Sequence, residues 1–219
     1  EMKAILAKLV CLAMVQGAWS AAGAAQQESY PQRPVRFVVP FAPGGTTDII
    51  ARIVGSALSE ELGQQFIVDN RGGAGSSIGT AIAARAQPDG YTIILNNNGL
   101  AINETLYEKL PYNAQRDLAP VSLVGETPNA LIVNNALPVN TVKEFVALAR
   151  TSQGKLAYAS AGTGSSTHLS VALFESIAGF KAVHVPYKSG APALNDTISG
   201  QVQFMLATLP SAHGHIVSG

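Results

Sequence analysis

Two short runs hold the residue types best suited to gripping an anion. The first is Pro43-Gly44-Gly45-Thr46-Thr47-Asp48, and the second is Gly162-Thr163-Gly164-Ser165-Ser166-Thr167-His168. Each follows a short apolar stretch and opens an apolar pattern at helical spacing. A glycine-rich turn of this kind carries a helix N-terminus to the carboxyl end of a strand. The first N–H groups of a helix have no partner within it. Their aligned dipoles favour a nearby negative charge by about 0.3–1 kcal/mol, or about 2 kcal/mol when partly buried. Glycines let the backbone come close, and hydroxyls add donors. One such turn alone reads better as an ordinary β-to-α connection that binds nothing. Two matched turns argue for a ligand held between them, at the carboxyl ends of strands. A valine at Gly45 or Gly164 is expected to abolish binding while sparing the fold. Asp48 has two compatible readings, a helix-start carboxylate favoured by the dipole or a group that orients waters or a donor on the ligand. His168 is either a ligand contact or a helix-start residue.

Other chemistries find less support. Thr167 stands where the third glycine of a G-x-G-x-x-G fingerprint would fall, and no G-x-x-x-x-G-K-[ST] run exists. Gly75-Ser76-Ser77-Ile78-Gly79 matches G-x-S-x-G, which makes a serine hydrolase using Ser77 the alternative from another class. A nucleophile elbow needs its serine on a tight turn directly after a strand, whereas Arg71-Gly72-Gly73-Ala74 intervene here. His213 and His215 fall inside an expected terminal helix. No set of His, Asp and Glu has metal spacing, so no metal, no cofactor and no catalytic residue is expected. A periplasmic sensor subunit that contacts a two-component kinase is a further alternative.

The elements that must position these runs follow from periodicity. Strands are predicted at 35–39, 66–68 and 91–95, with helices at 47–62 and 77–86. Ile49, Ile50, Ile53, Val54, Ala57, Leu58 and Leu62 form the apolar stripe of the first helix, and Gly63 suits its C′ position. The stretch 96–117 reads as polar turns. Strands at 120–124 and 130–133 then flank Thr127-Pro128-Asn129 as a crossing between lobes. Thr141 and Glu144 form a capping box ahead of a helix ending near Gly154. Further strands are predicted at 156–159, 182–185 and 202–206, and helices at 165–178, 192–199 and 210–217. Alternating β and α units imply parallel sheets covered on both faces.

Composition narrows the class further. The 219 residues carry 14 Lys+Arg against 14 Asp+Glu, with no basic cluster, so nucleic acid is not an expected partner. Only 13% are charged and 47% are hydrophobic, which suits a packed protein rather than a disordered one. Lys3 and Lys8, the apolar run 9–15 and the small residues around Ala22-Gly23-Ala24 resemble a secretory signal over 1–24, which places the chain in the periplasm. The run is shorter than the ~20 apolar residues that a membrane span needs. Cys11, the single cysteine, falls inside that segment, and Val10 before it does not suit a lipoprotein site. The exported part is therefore expected to fold without disulfides.

A family resemblance spans nearly all of the chain after the signal. Tyr30-Pro31-x-Arg33-Pro34-Val35 is followed by Val39-Pro40-Phe41-Ala42-Pro43-Gly44-Gly45-x-x-Asp48. Then come Asn70-Arg71-x-Gly73-Ala74-Gly75, Pro88-Asp89-Gly90-Tyr91-Thr92, Tyr158-Ala159-Ser160-Ala161-Gly162, His184-Val185-Pro186-Tyr187-Lys188 and Leu209-Pro210-Ser211-Ala212. In this order they resemble the Bug/TctC-type extracytoplasmic receptors of tripartite tricarboxylate transporters. The resemblance implies a type II periplasmic-binding fold, a non-enzymatic role and capture of a small carboxylate between two lobes. It further implies presentation of that solute to membrane components of the transporter, and a monomer at full length. By the same resemblance, the loops 41–48 and 161–168 grip a carboxylate from opposite sides, through backbone N–H groups, hydroxyls and waters.

The expected architecture is α/β, two lobes of mostly parallel sheet flanked by helices, with residues 25–127 forming lobe 1 and 128–219 lobe 2. Expected ligand residues are Phe41, Pro43, Gly44, Gly45, Thr46, Thr47 and Asp48 on one side, and Ala161, Gly162, Thr163, Gly164, Ser165, Ser166, Thr167 and His168 on the other. Asn97 and Asn98 join them, because Asn96-Asn97-Asn98-Gly99 stands where the family has small residues with threonine, which implies a more polar ligand. Family chains continue beyond the second lobe and return to the first. Lobe 1 is accordingly expected to be incomplete, and the 219-residue chain to aggregate, with lobe 2 the more stable half.

Overall fold

The computed structural model describes residues 30–218. The expected signal segment and Cys11 lie outside the described residues. Strands β1 (Val35–Val39), β2 (Phe66–Asn70) and β3 (Thr92–Ile94) form a parallel sheet in the order β2-β1-β3. The central strand reads VRFVV, and Val35, Phe37, Val38 and Val39 are all buried. Burial of Val38 with its neighbours means that both faces are covered, as an internal parallel strand requires.

Helix α1 (Thr46–Leu62) packs on this sheet only partly through the expected bulky stripe, from which Val54 rests on the core of Phe37, Val39 and Phe41. Its buried line is Asp48, Ala51 and Gly55, while Ile53 is 64% exposed. Small residues at helical spacing let the helix axis approach the sheet closely. A methyl at Gly55 would sit 3.5 Å from the Phe37 ring and from the Phe66 carbonyl. Gly63 ends the helix in the left-handed conformation, and its N–H reaches Ser59 O, as expected. A 3-10 turn (Ala74–Ser76) leads into α2 (Ser77–Ala84).

Two helices occupy the stretch read as polar turns, α3 (Gly99–Leu106) and α4 (Ala114–Asp117). The buried side of α3 is Gly99 and Asn103 rather than an apolar stripe, so its periodicity is invisible to a hydrophobic pattern. The expected strand at 120–124 is a correction. No strand forms there, and Val121 and Leu123 are 90% and 78% exposed. The alternation suits a strand, but a strand needs a neighbour for its backbone groups, and no strand pairs with this segment among the described residues.

The second sheet combines β4 (Asn129–Val133), β5 (Ala157–Ser160), β6 (Val183–Pro186) and β7 (Phe204–Thr208) in the order β4-β7-β5-β6. Pairs β5–β6 and β5–β7 are parallel, and β4–β7 is antiparallel. Helices α5 (Val142–Thr151), α6 (Ser166–Ala178), α7 (Gly190–Ile198) and α8 (Leu209–Ser218) flank it. One core joins Phe145, Ala149, Val171 and Phe180 to Tyr158 and Phe204, with the Phe145 and Phe204 rings edge-on at 4.9 Å. A second core joins Ala193, Leu194 and Ala212 to Ala159, Met205 and Ala207. Each fully buried large side chain removes enough apolar area to contribute about 1.5–3 kcal/mol. Thr141 accepts the Glu144 N–H as a capping box requires, while Glu144 reaches back to the Asn140 N–H, one residue earlier than expected. The chain is thus a mixed α/β protein with parallel-dominated sheets covered by helices.

Candidate functional site

The carboxyl ends of β1, β5, β6 and β7 each feed a helix, and these helices begin around one small cavity of about 30 Å³. From the first sheet come Phe41, Gly45, Thr46, Thr47 and Asn97. From the second come Ala161, Ser166 and Thr167, together with Ser189, Gly190 and Thr208. The first residues of α1, α6 and α7 (Thr46, Ser166 and Gly190) therefore share one wall. No charged side chain lines it among the described residues. The space is of a size for a carboxylate head or a couple of waters. A larger open groove nearby, about 710 Å³, is bordered by Gly73, Gly75, Gly162, Thr163, Tyr187 and Lys188, among others. It is bigger, but no α-helix has its first residue on its wall, whereas three α-helices do on the wall of the smaller cavity.

Eight of the expected ligand residues line this cavity. The others build it or lie beside it. Pro43 and Gly44 are exposed beyond its wall, and so is Asn98. Gly162 and Thr163 border the larger groove. Ser165 caps α6 by accepting the His168 N–H at 3.3 Å. Thr167 Oγ1 accepts from the Ala161 N–H at 2.9 Å, tying the loop to its helix. Gly164 donates its N–H to His168 Nδ1 at 3.2 Å.

The expectation for Gly164→Val is a second correction. Gly164 has φ +83°, and a methyl there would run into Asn103 Oδ1 and stand 2.9 Å from Leu106. Substitution would strain the backbone and push against α3, so it does not spare the local fold. Gly45 differs, since a methyl there meets nothing nearer than 3.6 Å and its φ is −81°.

Asp48 is fully engaged in the loop. Its carboxylate accepts from the Gly44 N–H at 2.9 Å, from Asn70 Nδ2 at 3.0 Å and from Arg52 Nε at 3.1 Å. Burial pushes the carboxyl up, but the hydrogen bonds from Arg52, Gly44 and Asn70 and the Arg52 charge outweigh it and hold it below its usual range. Asn70 also donates to Phe41 O at 3.1 Å. Asp48 therefore shapes the turn that presents Gly45 and Thr46.

Beneath the second loop lies a stack of rings. His168 and His184 stack at 4.1 Å, and Tyr158 lies 4.9 Å from His184. His184 Nε2 is 2.6 Å from Ser160 Oγ, which also accepts the Gly162 N–H. His184 is pushed down to about 4, first by burial and then by His168. His168 is lowered by burial, against an opposing pull from Glu175. The Ser77 hydroxyl is donated to Ala74 O at 2.8 Å.

Ser189, Gly190 and Thr208 were missed by sequence reasoning. The start of α7 is Gly190 rather than Pro192, and a proline within a first turn is compatible with that earlier start because its missing N–H is not needed there. A serine directly before such a turn, three residues ahead of Pro192, was the available signal.

Comparison with known proteins gives this geometry a family. The profile described as "Tripartite tricarboxylate transporter family receptor" matches residues 50–219. A UPF0065 protein from the tcbD-tcbE intergenic region of Pseudomonas sp. strain P51 is 39% identical over 199 residues, covering 91% of this chain and 59% of that protein. BugT of Bordetella pertussis is 38% identical over 194 residues, covering 88% and 60%. Among solved structures, the periplasmic binding protein BugD is 38% identical with a TM-score of 0.83, covering 86% of this chain and 63% of BugD. R. palustris Rpa4515 with adipate is 37% identical, TM-score 0.84, covering 87% and 64%. MatC from Rhodopseudomonas palustris with bound malate is 33% identical, TM-score 0.80, covering 86% and 65%. The chain spans about three fifths of the length of the curated relatives it matches. With a family match over most of its length and relatives of this identity across nine tenths of it, the chain belongs to the tripartite tricarboxylate transporter receptors of the Bug/TctC type.

Proposed function

We propose that this chain is the solute-capturing part of a periplasmic receptor that binds a small carboxylate in the cavity between its two sheets. The observation that carries this reading is the convergence of three helix N-termini on one wall without a charged side chain. Such a wall offers N–H donors and a positive potential, which suit a carboxylate and give a cation nothing to pair with. The adipate and malate bound by the two R. palustris relatives are small carboxylates of this class. The receptor presents its solute to the membrane components of a tripartite carrier, and it binds without turnover. Residues 25–127 and 128–219 act as the two lobes of the grip, and the candidate residues on loops 41–48 and 161–168 hold the ligand.

Thermal-shift screening tests the reading. Malate, adipate and related di- and tricarboxylates are each added at a large excess, beside uncharged isosteres such as the diamides. A carboxylate at about 100 times its Kd raises stability by about 2.7 kcal/mol. A rise with acids and none with their amides is expected. Equal responses, or none for any acid, would refute the proposal.

A further inference from the structure

Ser189 is fully buried, and its hydroxyl has no hydrogen-bond partner among the described residues. It occupies the N-cap position of α7 in an extended conformation (φ −165°, ψ 176°) yet makes no side-chain cap bond. Serine is among the preferred capping residues because its oxygen normally accepts an N–H of the first turn. Leaving a buried hydroxyl unpaired is costly, and native proteins rarely do so without a reason. The same residue lines the cavity on which α1, α6 and α7 begin. Its Cβ would lie 3.6 Å from a methyl at Gly45, and Gly190 N would lie 3.7 Å from it, so the N-termini of α1 and α7 face each other closely.

We propose that Ser189 and the first turn of α7 form a third arm of the carboxylate site, with Ser189 Oγ–H donating to an oxygen of the bound acid. This rests on the carboxylate reading above, and it adds a contact outside the two glycine-rich loops. The hydroxyl is withheld from the helix cap and stays available for the ligand. Hydroxyl and backbone N–H then meet the carboxylate from a direction that neither loop 41–48 nor loop 161–168 supplies.

The arrangement makes a distinctive demand on Ser189→Ala. A capping or core-bonded serine would lose stability on becoming alanine. A hydroxyl reserved for ligand costs the unliganded protein nothing when removed, because no bond is broken. Titration calorimetry with malate and with adipate, on the parent and on Ser189→Ala, is paired with the unliganded melting temperature of each. The expected result is an unliganded melting temperature unchanged or raised, with affinity for the acid that the parent binds falling roughly tenfold or more. Ser189→Thr keeps the hydroxyl and should bind more tightly than Ser189→Ala. A parent that binds an acid beside an alanine variant that binds it equally well overturns the third arm and leaves the carboxylate reading standing. A clear drop in the unliganded melting temperature, or failure of Ser189→Ala to fold, shows a structural hydroxyl and also overturns it. A parent that binds neither these acids nor any other screened overturns the carboxylate reading, and the third arm with it.

Discussion

At Asp48 a carboxylate beside the candidate site is spent on the loop rather than on a ligand, and this separates residues that build from residues that touch. Gly45, which lines the cavity, is the clearest candidate for the second group. Its backbone angles are ordinary, and a single added methyl meets only atoms at 3.6 Å or beyond. Alanine therefore fits, while valine adds two further methyls at a position that lines a cavity of only about 30 Å³. Gly45→Val is expected to weaken carboxylate binding by roughly a hundredfold or more, the loss of about two charge-assisted hydrogen bonds. Gly45→Ala should fall in between. Calorimetry beside a melting curve checks this, and a valine variant that binds like the parent would move the site elsewhere. The two glycine-rich runs were legible because glycine and hydroxyl residues at a strand-to-helix junction have a direct electrostatic meaning. Ser189 was not, because its significance lies in a bond that it does not make, which sequence cannot express. The hydroxyl of Ser77 likewise reads as a nucleophile in a motif and as a donor to Ala74 O in space.

The element that carries most chemistry is α6 with the loop before it. His168 on α6 stacks on His184 of β6, and Tyr158, Ser160 and Glu175 are the polar and titratable neighbours facing the pair. Folded His184 titrates at about 4 against an unfolded value near 6.5, so the folded protein binds fewer protons than the unfolded chain between them. Stability from this pair is full above about pH 6.5 and falls as pH drops toward 4. His168, also lowered, adds to the fall in the same direction. Asp48, whose carboxyl is held below its usual range, adds its own loss only at lower pH. The melting temperature is therefore expected to decline from pH 7 to 4.5, and His184→Gln to flatten that decline. Parallel slopes for parent and variant would remove the imidazole pair as the cause. The strands and most helices were legible because β-branched runs and 3.6-residue periodicity report burial. Helix α3 was not, since it seats on its neighbours through Gly99 and Asn103, whose Nδ2 donates to Gly75 O at 2.9 Å. The stripe of α1 was legible only in part: Val54 packs on the core, but Ala51 and Gly55 form the line closest to the sheet and Ile53 turns outward.

Across the whole molecule, the two sheets are joined by direct contacts as well as by the chain between α4 and β4. The Ala42 N–H donates to Lys188 O at 3.2 Å, and the Thr46 and Thr208 hydroxyls are bonded to each other. Tyr107 OH donates to Thr163 O at 3.1 Å, beside Gly75, where a methyl would run into the same carbonyl. All of these contacts border one of the two spaces, so the arrangement that encloses the small cavity is also the one in which they form. On the proposed receptor reading, opening releases the solute, and each such bond weights the equilibrium toward the closed form without touching the ligand. Tyr107 is the most accessible test, because its hydroxyl is outside the small cavity and its ring can be kept. Tyr107→Phe removes one neutral hydrogen bond, worth about 0.5–1.5 kcal/mol. Dissociation of a bound carboxylate is then expected to quicken by roughly two- to tenfold, with association little changed, since affinity differences among variants of one site lie mostly in dissociation. The unliganded melting temperature should stay near that of the parent, because a partly exposed bond contributes little to the fold. Stopped-flow release of malate or adipate into a competitor measures the rate. An unchanged release rate would show that the bond persists in the open form or contributes nothing to closure, and closure would then rest on the other contacts between the halves, such as the hydroxyl pair, the Ala42–Lys188 bond and the packing of Ala161 on the first core.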